Sequence, residues 1–103
     1  MSSTHFFDTA IAEDVGVNAA VVYECFKIWV RKNASEGVNF KNGQYWIKSS
    51  ISELTNKFPY LSEKQIRTAI DVLFNKKYIK KGQLSLNKLD RSMWYTVRAM
   101  YEY

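Results

Sequence analysis

Cysteine, proline and histidine each occur once in this chain of 103 residues, and glycine four times. One thiol cannot close an internal disulfide, so no covalent cross-link supports the fold. Cys25 stands in a strongly apolar helical stretch and reads as a buried core thiol, not a nucleophile. His5 lies near the N-terminus and has no partners for a metal site or a Cys–His pair. No apolar run is long enough to span a bilayer. No basic region followed by an apolar block stands at the N-terminus, so no signal peptide is expected and the expected location is cytoplasmic. A glycine-rich phosphate loop, a metal cluster and a nucleophile–base spacing are missing too. The expectation is therefore neither an enzyme nor a cofactor binder.

What is present is an ordinary-to-high apolar content, 47% hydrophobic with 16% aromatic. That is enough for one domain with one modest core. The net charge is +5 and unevenly placed: residues 57–98 carry ten Lys/Arg against three acids, residues 1–56 five against six. A basic half suits a polyanionic partner.

The basic half contains the most sharply delimited helix. Ser62 can cap it, with Gln65 three residues on to close a capping box. Pro59 lies just before the cap, where it ends the preceding helix. Ile66, Ala69, Ile70, Leu73 and Phe74 share one apolar side. Lys64, Thr68, Asp71 and Asn75 point the other way, with Gln65 and Arg67 on the shoulders. Lys76 and Lys77 are expected in the last turn, at the negative end of the helix dipole. Long donors, a hydroxyl and an amide on an exposed helix face can read base edges and phosphates. The plain alternative is a solvated surface.

Taken in order, residues 1–17 form an arm, extended or with a short turn of helix, anchored by Phe6 and Phe7. The domain spans 18–98 and a tail covers 99–103. Asn18 is the expected N-cap of a helix to about Lys32. Val21, Val22, Cys25, Phe26, Ile28, Trp29 and Val30 cover more than one stripe of it. Core burial explains that breadth; a homodimer contact through this helix is the other reading. Asn33 to Gly37 breaks the helix, and two extended pieces follow around an Asn42-Gly43 turn, the second running from Gln44 to Lys48. Ser50-Ile51-Ser52-Glu53 is another capping box, opening a short helix with Ile51, Leu54 and Phe58 inward. After the basic helix come strands from Tyr78 and from Met93, joined by a long loop with Lys88 and Arg91 on it and Lys80 and Lys81 at its base. Trp46 and Trp94 read as sheet residues. The order helix, strand, helix, helix, strand, loop, strand gives an α+β winged helix-turn-helix: three helices packed on a small antiparallel sheet.

Three blocks, Gly43-Gln44-Tyr45-Trp46-Ile47-Lys48-Ser49-Ser50, Phe58 through Ile70, and Leu89-Asp90-Arg91-Ser92-Met93-Trp94-Tyr95, carry a resemblance. Over roughly residues 10 to 98 the chain resembles the N-terminal winged-helix domain of phage replication-initiation (replisome organiser) proteins, which are DnaD-like in architecture. The resemblance implies binding of duplex DNA at an origin or operator of phage or prophage, in replication initiation or transcription regulation. Carried over by position, Lys64, Gln65, Arg67 and Thr68 fall on the recognition helix and Lys88 and Arg91 on the wing; Ser62 at the helix start and Lys80 and Lys81 at the base of the wing complete the DNA contacts expected from the residues themselves. Asp90 has a second reading, as the residue that holds the wing by a local turn bond. Such initiators continue into a region that recruits helicase-loading machinery, and this sequence stops first. The expectation is an excised domain or a free-standing binder. The alternative function is a protein-interaction winged helix, such as a small phage inhibitor or adaptor of a host complex.

Overall fold

Asp8 starts the first helix by accepting from the amides of Ala10 at 2.8 Å and Ile11 at 3.4 Å, two donors a helix start would otherwise leave unpaired. In the computed structural model, which describes residues 4–87, 89–90 and 92–98, this helix is α1 (Thr9–Val15). The arm expected over 1–17 is thus helical in its second half, and the described residues hold four helices where three were expected. Ile11 and Val15 pack partly against the core. Phe6 and Phe7 do not anchor the arm; they are 56% and 40% exposed. Phe26, Trp29 and Phe58 pack ring against ring at that end of the core. His5 does the anchoring, 5.1 Å from the Phe58 ring and hydrogen-bonded through Nδ1 to the Tyr60 hydroxyl at 2.7 Å.

Gly16 alone separates α1 from α2 (Val17–Glu36), and its positive φ of 89° makes the bend. Asn18 is therefore not the N-cap; it lies inside the first turn of a helix that has no side-chain cap. At the other end α2 runs past Lys32, because Ala34 and Glu36 favour helix and the break falls only at Gly37, left-handed at φ 70°. The Val38 amide reaches back to the Asn33 carbonyl at 3.0 Å and closes the terminus. Ala19 to Tyr23, Cys25, Phe26 and Val30 are all buried, so α2 is the central helix.

Asn42 and Gly43, both at positive φ, turn a small hairpin of β1 (Phe40–Lys41) and β2 (Gln44–Tyr45). The strand expected from Gln44 to Lys48 is split at Trp46. Before it the chain pairs with β1; after it β3 (Ile47–Ser49) pairs with β5. Trp46 is buried and donates its Nε1 to the Lys41 carbonyl at 2.9 Å.

Two capping boxes form where the sequence places them. Ser50 with Glu53 opens α3 (Ile51–Lys57), and Ser62 with Gln65 opens α4 (Glu63–Asn75). Leu54, Phe58, Ile66 and Leu73 have no exposed surface, and Ala69 and Ile70 almost none. Phe74 leaves the stripe: it is 42% exposed, with Lys81 Nζ 4.4 Å from its ring centre. Lys76 and Lys77 are not in the last turn. Lys76 caps the helix at Asn75 and Lys77 turns left-handed at φ 67°.

Beyond that turn β4 (Ile79–Gly82) and β5 (Met93–Val97) form an antiparallel hairpin, and the sheet order is β3-β5-β4. Ile47 and Lys81 both lie opposite Tyr95, and Ile79 opposite Val97, so these residues face the helices. Trp94 and Thr96 face the other way, under the β1–β2 hairpin, where the Thr96 hydroxyl donates to the Tyr45 carbonyl at 2.7 Å. Trp94 is buried, which fits its reading as a sheet residue.

Candidate nucleic-acid interface

The outward side of α4 is not covered by the other described residues. Ser62, Glu63, Lys64, Gln65, Arg67, Thr68 and Asp71 are all exposed. Their polar groups are differently committed. The Ser62 hydroxyl accepts from the Gln65 amide at 3.1 Å, and the Gln65 side-chain oxygen accepts from the Ser62 amide at 2.8 Å. These two start the helix first; what they keep for a ligand is one hydroxyl proton and one NH₂. Arg67 gives both Nε and Nη2 to one carboxylate oxygen of Glu63, at 3.1 and 2.9 Å. That pins the guanidinium along the helix and leaves its Nη1 edge outward. Lys64 makes no ion pair among the described residues.

The face has two flanks. Lys64, Gln65 and Thr68 look across a groove of about 490 Å³ toward the α1–α2 elbow at Val15 to Ala19. Arg67 and Asp71 look toward the sheet. Both act on the phenol of Tyr95, which burial pushes up, Arg67 pulls back and Asp71 pushes further. Lys81 completes that flank, 3.9 Å from Asp71.

Strand alternation separates the two lysines that the sequence reading places together at the base of the wing. Lys81 faces α4; Lys80, opposite Thr96, faces away from it. On that outer side sequence reasoning missed two more cations. Lys41 and Lys48 lie 5.7 and 5.9 Å from the Trp94 ring centre. No spacing within one strand reveals the cluster: Lys48 lies opposite Trp94 across β3 and β5, and Lys41 belongs to the β1–β2 hairpin. Lys88 and Arg91 lie outside the described residues.

Asp90 holds the loop. It accepts from the Ser92 amide at 2.9 Å and the Ser85 hydroxyl at 3.3 Å, and it pairs with Lys48. Lys48 first, then the Ser92 amide, keep its carboxyl far below the ordinary range. Asp14 latches α1 to the start of the hairpin: Tyr78 donates its hydroxyl at 2.7 Å and Lys76 its ammonium at 3.1 Å, and together they lower the Asp14 pKa below 3.8. A depressed carboxyl stabilises the fold fully above its unfolded-state value, and that contribution is lost as pH falls through the lower folded value. The melting temperature is therefore expected to drop below about pH 4, and Asp14→Asn to remove part of that drop. A melting temperature flat between pH 5 and the acid limit would contradict both latches.

Burial, with Glu24 second, pushes the Cys25 thiol up to about 11, so it stays protonated at neutral pH. No group of three or more His, Cys, Asp or Glu among the described residues is placed to hold a metal. No described helix is long and apolar enough to cross a membrane. Comparison with family models, curated proteins and solved structures finds no match to this chain.

Proposed function

We propose that the chain is a winged-helix protein that binds duplex DNA, with α4 entering the major groove and the β4–β5 hairpin beside it as the wing. The observation that carries this reading is α4 itself. It is a capped helix, joined to α3 by a short turn and followed at once by an antiparallel hairpin. It keeps an open face of Lys64, Arg67 and Thr68, with Lys81 on its sheet flank. The free Nη1 edge of Arg67 suits guanine O6 and N7, Thr68 suits either partner of a base pair, and Lys64 suits a phosphate. The resemblance to replisome organisers supports a place in phage or prophage replication initiation or in transcription regulation.

Glu63 pairs with Arg67 and Asp71 with Lys81, so part of the positive charge is already offset within the protein. With about four phosphates neutralised, the log–log slope of affinity against salt is expected to be on the order of −4. One module of this size binds weakly, so tandem or paired sites are expected to bind more tightly than one. Anisotropy titration of a labelled duplex at several salt concentrations tests the reading. Folded protein that shows no binding at low salt and high concentration would overturn it.

A further inference from the structure

The side of α2 that looks away from α4 carries a groove with a different chemistry. Val21, Cys25, Ile28 and Trp29 form its floor and one wall; Pro59 and Tyr60 close the other side, and its volume is about 910 Å³. Those four α2 positions follow i, i+4, i+7, i+8 spacing, so the wall runs about 12 Å along the helix. Ile28, Phe7 and Tyr60 at the groove are each about half exposed.

We propose that this groove docks an acidic amphipathic segment of a partner protein. Charge selects that occupant. No acid lines the groove, and Lys57 supplies a positive charge at its mouth. A second copy would bring a like-charged groove and another net +5 to the contact. A nucleic acid would find a single lysine there, too few phosphate contacts for useful affinity. An apolar stripe flanked by carboxylates satisfies both parts: its side chains cover Ile28 and Tyr60, and its acids meet Lys57. The 12 Å wall accommodates the i, i+3, i+4, i+7 anchors of a helix laid along it.

The test is a selection from a random peptide library, about fifteen residues per peptide and so four helical turns, on the immobilised full chain. The enriched sequences are then made as free peptides and titrated against Ile28→Asp, Lys57→Glu and Lys64→Ala proteins, each checked by thermal melting. Ile28 and Lys57 are exposed, so both variants should fold. The expected ligands are net negative with apolar residues at helical spacing. Ile28→Asp and Lys57→Glu should each weaken them about tenfold or more, and Lys64→Ala should leave them unchanged. The proposal is overturned if no peptide is enriched, if the enriched peptides are basic or uncharged, or if the two groove variants bind them as the parent does. It is also overturned if sedimentation shows a dimer that Ile28→Asp abolishes, which would assign the groove to a second copy. A loss of duplex affinity in Lys57→Glu as large as that in Lys64→Ala would overturn it too, by making the groove part of the nucleic-acid surface.

Discussion

Duplex DNA affinity should fall about 100-fold in the double variant Lys64→Ala with Arg67→Ala, while the melting temperature stays near that of the parent. Stability is spared because both side chains lie off the stripe formed by Ile66, Ala69, Ile70 and Leu73. Within the fold the substitutions break only the exposed Arg67–Glu63 ion pair, and pairs of that kind contribute only about 0.3–0.5 kcal/mol. Binding is hit twice. Lys64 takes a phosphate contact with it, and Arg67 takes a base contact of about 1–3 kcal/mol. Removing Arg67 also unmasks Glu63, which then stands unpaired at the approach of a polyanion. The single variants should differ in kind. Lys64→Ala should weaken every duplex alike and reduce the salt slope by about one, whereas Arg67→Ala should relax preference at one base pair. Lys80→Ala should do less than either, because its strand position faces away from α4. Anisotropy on matched and scrambled duplexes separates these outcomes. Unchanged affinity in the double variant would remove α4 as the reading face.

The features legible in the sequence are those whose causes lie within a few residues. Both capping boxes need only a serine and an acceptor three positions on, and Ser50–Glu53 and Ser62–Gln65 stand where that rule puts them. The Asn42-Gly43 turn is equally local. Residues whose state depends on distant partners were not legible. Phe74 fits the apolar spacing, yet Lys81 on a neighbouring strand lets it stay at the surface. Phe6 and Phe7 look like anchors, yet it is His5 that reaches the Phe58 ring and the Tyr60 hydroxyl. The run from Gln44 to Lys48 reads as one strand because nothing in it signals that Trp46 separates two sheets. The same limit applies to the candidate interface. Lys64, Arg67 and Thr68 share a face by helical period alone. Whether Lys80 or Lys81 joins them requires the pairing of β4 with β5, and the gathering of Lys41 and Lys48 around Trp94 requires two pairings at once.

Ile70→Asp should abolish the cooperative melt at neutral pH. Ile70 is 4% exposed, within a cluster that joins α2, α4 and β5 through Phe26, Leu73 and Tyr95. The substitution removes about 1.5–3 kcal/mol of apolar burial and puts an unpaired carboxyl in the core. Ionised, that carboxyl costs several kcal/mol more; neutralised, it must take up a proton against a pH well above its ordinary value. The total is on the order of 5 kcal/mol or more, against about 5–15 kcal/mol for a domain of this size. Acid offers little rescue. It would neutralise the introduced carboxyl, but it would also release the latches at Asp14 and Asp90, whose pKa values are held low by Tyr78 and by Lys48 respectively. Phe74→Asp is the matched control one turn further along the same helix. Its side chain is already part exposed and lies beside Lys81, so the new carboxylate gains a cation and the change should cost no more than about 1 kcal/mol. Circular dichroism melts of the two variants decide the boundary of the core face. If Ile70→Asp melts like the parent, or Phe74→Asp fails to fold, the face of α4 turned outward is not the one that carries Lys64, Arg67 and Thr68.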